Sequence, residues 1–116
     1  DHADRLQRQF FRIAPARGGP CWEPPVDVIN NGDRVTLLVA LPGVPPDQFD
    51  VHLEDTAIVV RGERSIGASV GTGAIVRLEI PYGRFERRIV LAPGKYKLTN
   101  MLLENGCLRI NLEPLP

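Results

Sequence analysis

The chain has 116 residues, the length of one domain with a modest hydrophobic core. Its 14 basic and 14 acidic residues give a formal net charge of zero, which argues against a dedicated nucleic-acid binder because such proteins carry a basic face. The sequence has no apolar run long enough to cross a bilayer and no visible secretory signal.

Residues 1–13 are the one stretch with helical periodicity. Leu6, Phe10 and Ile13 recur at i, i+4 and i+7, and Phe11 extends the same face. Residues 14–25 are rich in proline and glycine, which predicts a linker without regular structure. We therefore assign residues 1–21 to an N-terminal arm and linker that is partly helical or disordered. The chain begins at Asp1 rather than Met, which we interpret as a trimmed or processed piece.

From Val26 onward the hydrophobic period changes to two, which predicts about eight short strands. Residues 65–73 are rich in Gly, Ser and Thr and are predicted to form a loop. Asn105-Gly106 is a strong tight-turn signal between the last two strands. Short strands with short turns and no long helix predict an all-β sandwich. The predicted strands are Val26–Ile29, Arg34–Leu41, Gln48–Glu54, Ala57–Arg61, Ala74–Ile80, Arg84–Leu91, Leu98–Leu103 and Cys107–Leu112.

Side chains suited to catalysis are few and scattered. The serines lie in the loop 65–73, and His2 lies in the arm. A Cys107–His52 dyad is conceivable, but a cysteine on a strand is more often a small packed side chain. The loop glycines are not followed by the Lys-Ser/Thr of a phosphate-binding loop, and the sequence has no cluster with metal-ligand spacing. The sequence therefore predicts a protein that is not an enzyme and binds no cofactor or metal.

The two cysteines, Cys21 and Cys107, do not make a disulfide framework. Two free thiols in a reducing cytoplasm are the simpler interpretation. The alternative is a disulfide between chains through Cys21.

Five sequence blocks resemble the α-crystallin domain of small heat shock proteins of the bacterial and plant type. Each block alone is weak, but their order and spacing make the resemblance specific. It covers roughly Trp22 to Leu112, so we assign residues 22–113 to an α-crystallin domain and residues 114–116 to a truncated C-terminal extension. The blocks are Trp22-Glu23-Pro24-Pro25-Val26-Asp27-Val28, Ala40-Leu41-Pro42-Gly43-Val44, Ile58-Val59-Val60-Arg61-Gly62-Glu63-Arg64, Tyr82-Gly83-Arg84-Phe85-Glu86-Arg87 and Asn105-Gly106-Cys107-Leu108.

The resemblance implies an immunoglobulin-like β-sandwich and an ATP-independent chaperone, or holdase, that binds partly unfolded client proteins and prevents their aggregation. The two thiols predict a cytoplasmic protein, the balanced charge predicts no nucleic-acid partner, and the apolar pattern predicts no membrane span. The alternative is a monomeric co-chaperone adaptor domain of the related p23/CS type, which lacks the exchanged strand.

The resemblance also implies a homodimer formed by strand exchange. In bacterial and plant members the strand before Tyr-Gly-x-Phe pairs with a sheet edge of the partner, and here that strand is Ala74–Ile80. A β-prone apolar strand needs an edge, and exchange supplies one. Arg87 is implied to lie near the interface, paired with a carboxylate, so that its loss costs several kcal/mol if the pair is desolvated. The alternative for Arg87 is a solvated cation on a strand face. The predicted interface consists of Ile75, Val76, Arg77, Leu78, Glu79, Ile80 and Arg87.

A groove for clients or for a neighbour's tail is the second implied site. Its lips are Phe49, Val51 and Leu53 on one strand and Leu98, Met101, Leu102 and Leu103 on another. The first three are also plain candidates for the core, and the apolar run 101–103 does not reveal which side chains point inward. Binding would rest on the hydrophobic effect and on strand addition.

The resemblance also has implications for the two ends of the chain. Leu6, Phe10 and Phe11 form a candidate client-binding arm. The family's Ile-x-Ile tail does not follow the last strand, which predicts a dimer or small oligomer for this chain and a higher oligomer for the full-length protein. The sequence also departs from the family in its Gly-rich loop 65–73 and in Cys107, where valine is common.

Overall fold

The computed structural model describes residues 12–16 and 19–116. Within these residues, nine strands form two sheets, which confirms the all-β sandwich. A 3-10 helix at Pro46–Gln48 and one turn of α-helix at Gly67–Val70 complete the regular structure. The strands are β1 (Arg12–Ala16), β2 (Gly19–Glu23), β3 (Val26–Asn30), β4 (Val35–Ala40), β5 (Phe49–Glu54), β6 (Ala57–Arg64), β7 (Gly83–Val90), β8 (Tyr96–Glu104) and β9 (Cys107–Pro114).

The order of strands in the two sheets determines which edges are open. One sheet has the order β1-β2-β7-β6-β5, and the other has the order β3-β4-β9-β8. Neighbours are antiparallel except β2 and β7, which are parallel. Only Pro24 and Pro25 separate β2 from β3, so these strands lie at the same end of the two sheets. It follows that β5 and β8 lie together at the other end.

The core lies between the sheets and follows from alternation along the central strands. In β4, Val35, Leu37 and Val39 are buried and alternate with half-buried residues. Trp22 packs on Phe85 with ring centroids 5.0 Å apart. Burying each such large side chain contributes about 1.5–3 kcal/mol. The buried cluster comprises Trp22, Val35, Leu37, Val39, Leu41, Val44, Ile58, Val60, Phe85, Ile89, Leu91, Leu108, Ile110 and Leu112.

The turn between β8 and β9 follows from its two residues. Asn105 and Gly106 have φ values of 52° and 76°, the left-handed region that a two-residue hairpin requires and that Asn-Gly adopts most readily. The predicted hairpin is confirmed, with Glu104 opposite Cys107.

The prediction that residues 14–25 lack regular structure is wrong. β1 and β2 form a hairpin there, with Pro15 opposite Pro20, and Trp22 pairs with Phe85 of β7. Proline is tolerated because β1 is an edge strand and needs hydrogen bonds on only one side. Arg12 and Ile13, predicted as the end of a helix, belong to β1.

The predicted strand Ala74–Ile80 belongs to neither sheet in the single chain. Its sequence is typical of a strand, but a strand exists only when its backbone groups pair with a neighbour. Pairing of this segment with a partner chain stays a prediction.

Candidate functional site

β5 forms one edge of the five-stranded sheet and carries the first predicted groove lip. Val51 lies opposite Val60 and Leu53 lies opposite Ile58, and both partners are fully buried. The odd-numbered side chains of β5 therefore face the interior. Phe49 and Val51 pack against the core, whereas Leu53 retains 36% of its surface exposed.

β8 forms the corresponding edge of the four-stranded sheet. A bulge between Leu98 and Asn100 shifts its register. Beyond the bulge, Met101 lies opposite Ile110 and Leu103 opposite Leu108, and both partners are buried. Leu98, Met101 and Leu103 thus face the interior.

The remaining residue of the predicted second lip lies on the other face of β8. Leu102 is opposite Arg109, an exposed residue, so Leu102 points away from the space between the sheets. Successive side chains of a strand point to opposite faces, so the apolar run 101–103 has both orientations, and the bulge brings Leu98 onto the same face as Met101 and Leu103. The second lip therefore consists of Leu98, Met101 and Leu103.

The two edges leave an apolar strip at one end of the sandwich, which we call the edge groove (Phe49, Val51, Leu53, Leu98, Met101 and Leu103). Leu53 and Met101 face inward, yet they are 36% and 46% exposed, because β5 and β8 are the last strands of their sheets among residues 12–16 and 19–116. Within these residues, β5 and β8 also have unpaired backbone groups along their outer sides, which can pair with an added strand.

β3 is an edge at the other end of the sandwich, and sequence reasoning did not assign it to a site. Val28 lies opposite buried Leu37 on the inner face, and Ile29 lies opposite Thr36 on the outer face. Both are exposed. The consecutive apolar pair Val28-Ile29 could have identified this edge from the sequence, because successive residues of a strand lie on opposite faces and this pair makes both faces apolar.

Residues 74–80 are largely exposed in the single chain. Ile75 and Ile80 are about half exposed, and Val76 is 95% exposed. Leu78 is half-buried. Arg77 Nη1 lies 3.4 Å from Glu79 Oε2, an exposed pair within the segment.

Arg87 lies on the inner side of β7, opposite buried Val60. Its Nη1 donates a hydrogen bond of 3.5 Å to the carbonyl of Pro24, which places the guanidinium at the end of the sandwich that holds β3. The ion pairs found within the described residues do not involve Arg87, so its carboxylate partner stays a prediction.

Two candidates from the sequence, the client-binding arm and the Cys107–His52 dyad, are not part of a described site. Leu6, Phe10 and Phe11 lie outside the described residues. The Cys107–His52 dyad is wrong, because His52 is on the outer face of β5 with Nε2 2.6 Å from Asp50 Oδ2, whereas Cys107 is on β9 of the other sheet.

The sandwich agrees with the comparison of this chain with known proteins. The family model described as the Hsp20/alpha crystallin family matches residues 27–116. The chain belongs to this family.

Individual relatives place this family member near bacterial and plant small heat shock proteins. The 18 kDa heat shock protein of Streptomyces albus G is 32% identical over 92 residues, which are 77% of this chain and 61% of that protein. The 17.6 kDa class II heat shock protein of Arabidopsis thaliana is 31% identical over 113 residues, 94% of this chain and 70% of that protein. The chain thus spans 61–70% of the length of these two relatives.

Two solved structures match the fold. The structure of hspA from Xanthomonas axonopodis is similar with a TM-score of 0.70 and 33% identity, covering 82% of this chain and 96% of that one. A small heat shock protein from Xylella fastidiosa matches with a TM-score of 0.67 and 28% identity, covering 80% and 86%. In the described part of this family member, no helix has the length and apolar character to span a membrane.

The two thiols of this Hsp20/alpha crystallin chain are expected to differ in reactivity. Cys21 is buried, and burial raises the pKa of its thiol above the ordinary value, with smaller contributions from the carboxylates of Glu86 and Glu23. Cys107 is half-buried. Since the thiolate is the reactive form, Cys21 should alkylate about tenfold more slowly than Cys107 in the folded protein at pH 8. The rate at which iodoacetamide alkylates the Cys107→Ser variant measures Cys21, and the rate for the Cys21→Ser variant measures Cys107.

Equal rates in the two variants would contradict the expected difference. Slow alkylation of Cys21 would also argue against a disulfide between chains through this residue, because formation of that bond needs an accessible thiolate.

Proposed function

We propose that this chain is the client-binding domain of an ATP-independent chaperone that holds partly unfolded proteins and prevents their aggregation. The observation that carries the proposal is the edge groove, in which the interior-facing Leu53 and Met101 remain partly exposed. Membership of the Hsp20/alpha crystallin family supports it.

The mechanism is reversible burial of apolar surface. An unfolding client exposes side chains that are normally in its core, and placing each large one in the edge groove removes it from water with a gain of about 1.5–3 kcal/mol. The unpaired backbone groups of β5 and β8 can add main-chain hydrogen bonds to an extended client segment. Such binding follows the amount of exposed client surface and needs no nucleotide.

The same proposal includes a homodimer in which residues 74–80 pair with β3 of the partner. Ile75, Val76 and Ile80 are exposed and apolar, and the open edge at β3 is apolar on both faces. Exchange would cover both surfaces and remove an open edge. Arg87 lies at the β3 end of the sandwich through its bond to Pro24, which is consistent with a place near this interface.

The same proposal includes a higher oligomer built from these dimers. A reducing cytoplasm fits the two free cysteines.

Aggregation assays test the holdase directly. The chain should reduce light scattering by a thermally unfolding model enzyme at near-stoichiometric ratios. Met101→Gln should require about threefold or more protein for the same protection, since it places an amide on the edge groove. Leu102→Gln is the matched control, because Leu102 is 48% exposed but lies on the outer face of the same strand.

Three outcomes would overturn parts of this proposal. Failure of the unmodified chain to suppress aggregation at any ratio overturns the holdase. Equal behaviour of the two variants overturns the edge groove as the binding site. A monomer in sedimentation velocity at all concentrations overturns the dimer and favours the p23/CS-type adaptor.

A further inference from the structure

Arg64 occupies the point where the loop that contains residues 74–80 leaves the sandwich. It is the last residue of β6, and the chain returns to the same sheet at Gly83, the first residue of β7. Arg64 is also opposite Gly83 in the register of the two strands. Its side chain is half-buried, so the guanidinium is at the base of the loop rather than free in solvent.

The guanidinium of Arg64 joins two separate segments. Nε donates a 2.8 Å hydrogen bond to the carbonyl of Pro42, and Nη1 donates a 3.2 Å hydrogen bond to the carbonyl of Pro81. A planar fork with fixed donors can hold two carbonyls in one geometry, whereas a lysine ammonium is a point donor on a flexible stem.

The returning end of the loop is fixed on its other side as well. Pro81 is buried, and Trp22 Nε1 donates a 3.2 Å hydrogen bond to the carbonyl of Gly83. Arg64 and Trp22 thus hold the carbonyls on either side of Tyr82. The direction in which residues 74–80 leave the domain therefore depends on these two donors.

We propose that Arg64 is the positioning residue for the exchanged strand, and this rests on the strand-exchange dimer proposed above. The Arg64–Pro81 bond closes the loop at its base, which limits the conformations that residues 74–80 can adopt and so raises their effective concentration at the partner's edge. The Arg64–Pro42 bond fixes the same guanidinium to the turn that follows β4. Arg64 acts on the dimer through the loop and needs no contact with the partner.

Arg64→Lys is the test, and Arg61→Lys is its matched control. Arg61 is on the same strand, but its side chain lies on the outer face, with Nε 3.4 Å from Glu86 Oε1. Arg64→Lys should raise the dimer dissociation constant about tenfold, the change expected when about one further loop residue must be ordered on association. Arg61→Lys should leave it within about twofold, as for an exposed ion pair. Sedimentation over a concentration series measures both constants.

Hydrogen exchange and melting temperature separate positioning from general stability. Arg64→Lys should speed deuterium uptake in peptides that cover residues 78–84 and leave uptake in β4 and β9 unchanged. A variant that melts earlier but dimerises as tightly as the unmodified chain would overturn the proposal, as would unchanged uptake at residues 78–84. Arg64→Gln, whose shorter side chain has one donor nitrogen in place of the separate Nε and Nη1 donors, repeats the test should the lysine variant not fold.

Sedimentation of the unmodified chain tests whether the dimer forms at all. If that chain stays monomeric, the strand-exchange dimer fails, and the role assigned to Arg64 fails with it. If it dimerises and Arg64→Lys does not weaken it, only the role of Arg64 is overturned.

Discussion

Gly62→Ala should destabilise the sandwich by about 3 kcal/mol or more, because β6 has no room for a methyl group at this position. A Cβ there would lie 2.2 Å from the carbonyl oxygen of Gln48, 2.7 Å from Cζ of Phe85 and 2.8 Å from Cα of Phe49. Two of these atoms are backbone, and Phe85 is only 1% exposed and packed on Trp22. Relief of the clash therefore requires β5 to move away from β6.

A loss of this size is a large fraction of the 5–15 kcal/mol that stabilises an ordinary domain. Thermal unfolding should show a decrease in melting temperature of about 10 °C or more. Because β5 is one side of the edge groove, aggregation suppression should fall together with stability.

Gly67→Ala is the control for the loss of a glycine. The nearest atom to a Cβ at Gly67 is Ser65 Oγ at 3.9 Å, an ordinary contact, and Gly67 begins a helical turn. The free energy of unfolding of the Gly67→Ala protein should be unchanged or higher by about 0.5–1 kcal/mol. A Gly62→Ala protein as stable as the unmodified chain would contradict the steric argument.

Local alternation was sufficient to predict the central strands, because a period of two depends on one sheet face being buried. Residues 35–40 and 107–112 illustrate this, since alternate residues on both are buried. The Asn105-Gly106 turn was equally predictable, because Asn and Gly have a local preference for the positive φ values that the turn requires.

Features that depend on distant partners could not be predicted in this way. The hairpin of β1 and β2 contradicts the local proline signal, and the parallel pairing of β2 with β7 joins residues far apart in sequence. The bulge between Leu98 and Asn100 decides that Met101 faces inward and Leu102 outward, and nothing in the sequence of β8 fixes its position. The two hydrogen bonds of Arg64 are likewise contacts across the fold.

Residues 74–80 show a different limit of sequence reasoning. Their pattern favours a strand, but in the single chain they pair with neither sheet, so the prediction concerns an assembly of two chains. The side chain that best tests this is Val76, because it is 95% exposed and the fold of one chain gains almost nothing from it.

Val76→Asp should abolish most of the dimer without harming the sandwich. In a strand laid on the edge at β3, Val76, Leu78 and Ile80 would share one face, and this apolar face would be covered by the partner. A carboxylate placed there loses water without gaining a counter-charge. The dimer dissociation constant should rise about 30-fold or more, as for a central interface residue.

Val90→Asp is the matched control, because Val90 is also strongly exposed but lies on the outer face of β7. It should leave the dissociation constant unchanged. Sedimentation velocity over a concentration series measures both variants, and circular dichroism checks that each keeps its strands. Equal weakening by both substitutions would mean that added negative charge alone opposes association. A Val76→Asp chain that dimerises normally would mean that residues 74–80 do not form the interface, since their most exposed apolar side chain would then contribute nothing to it.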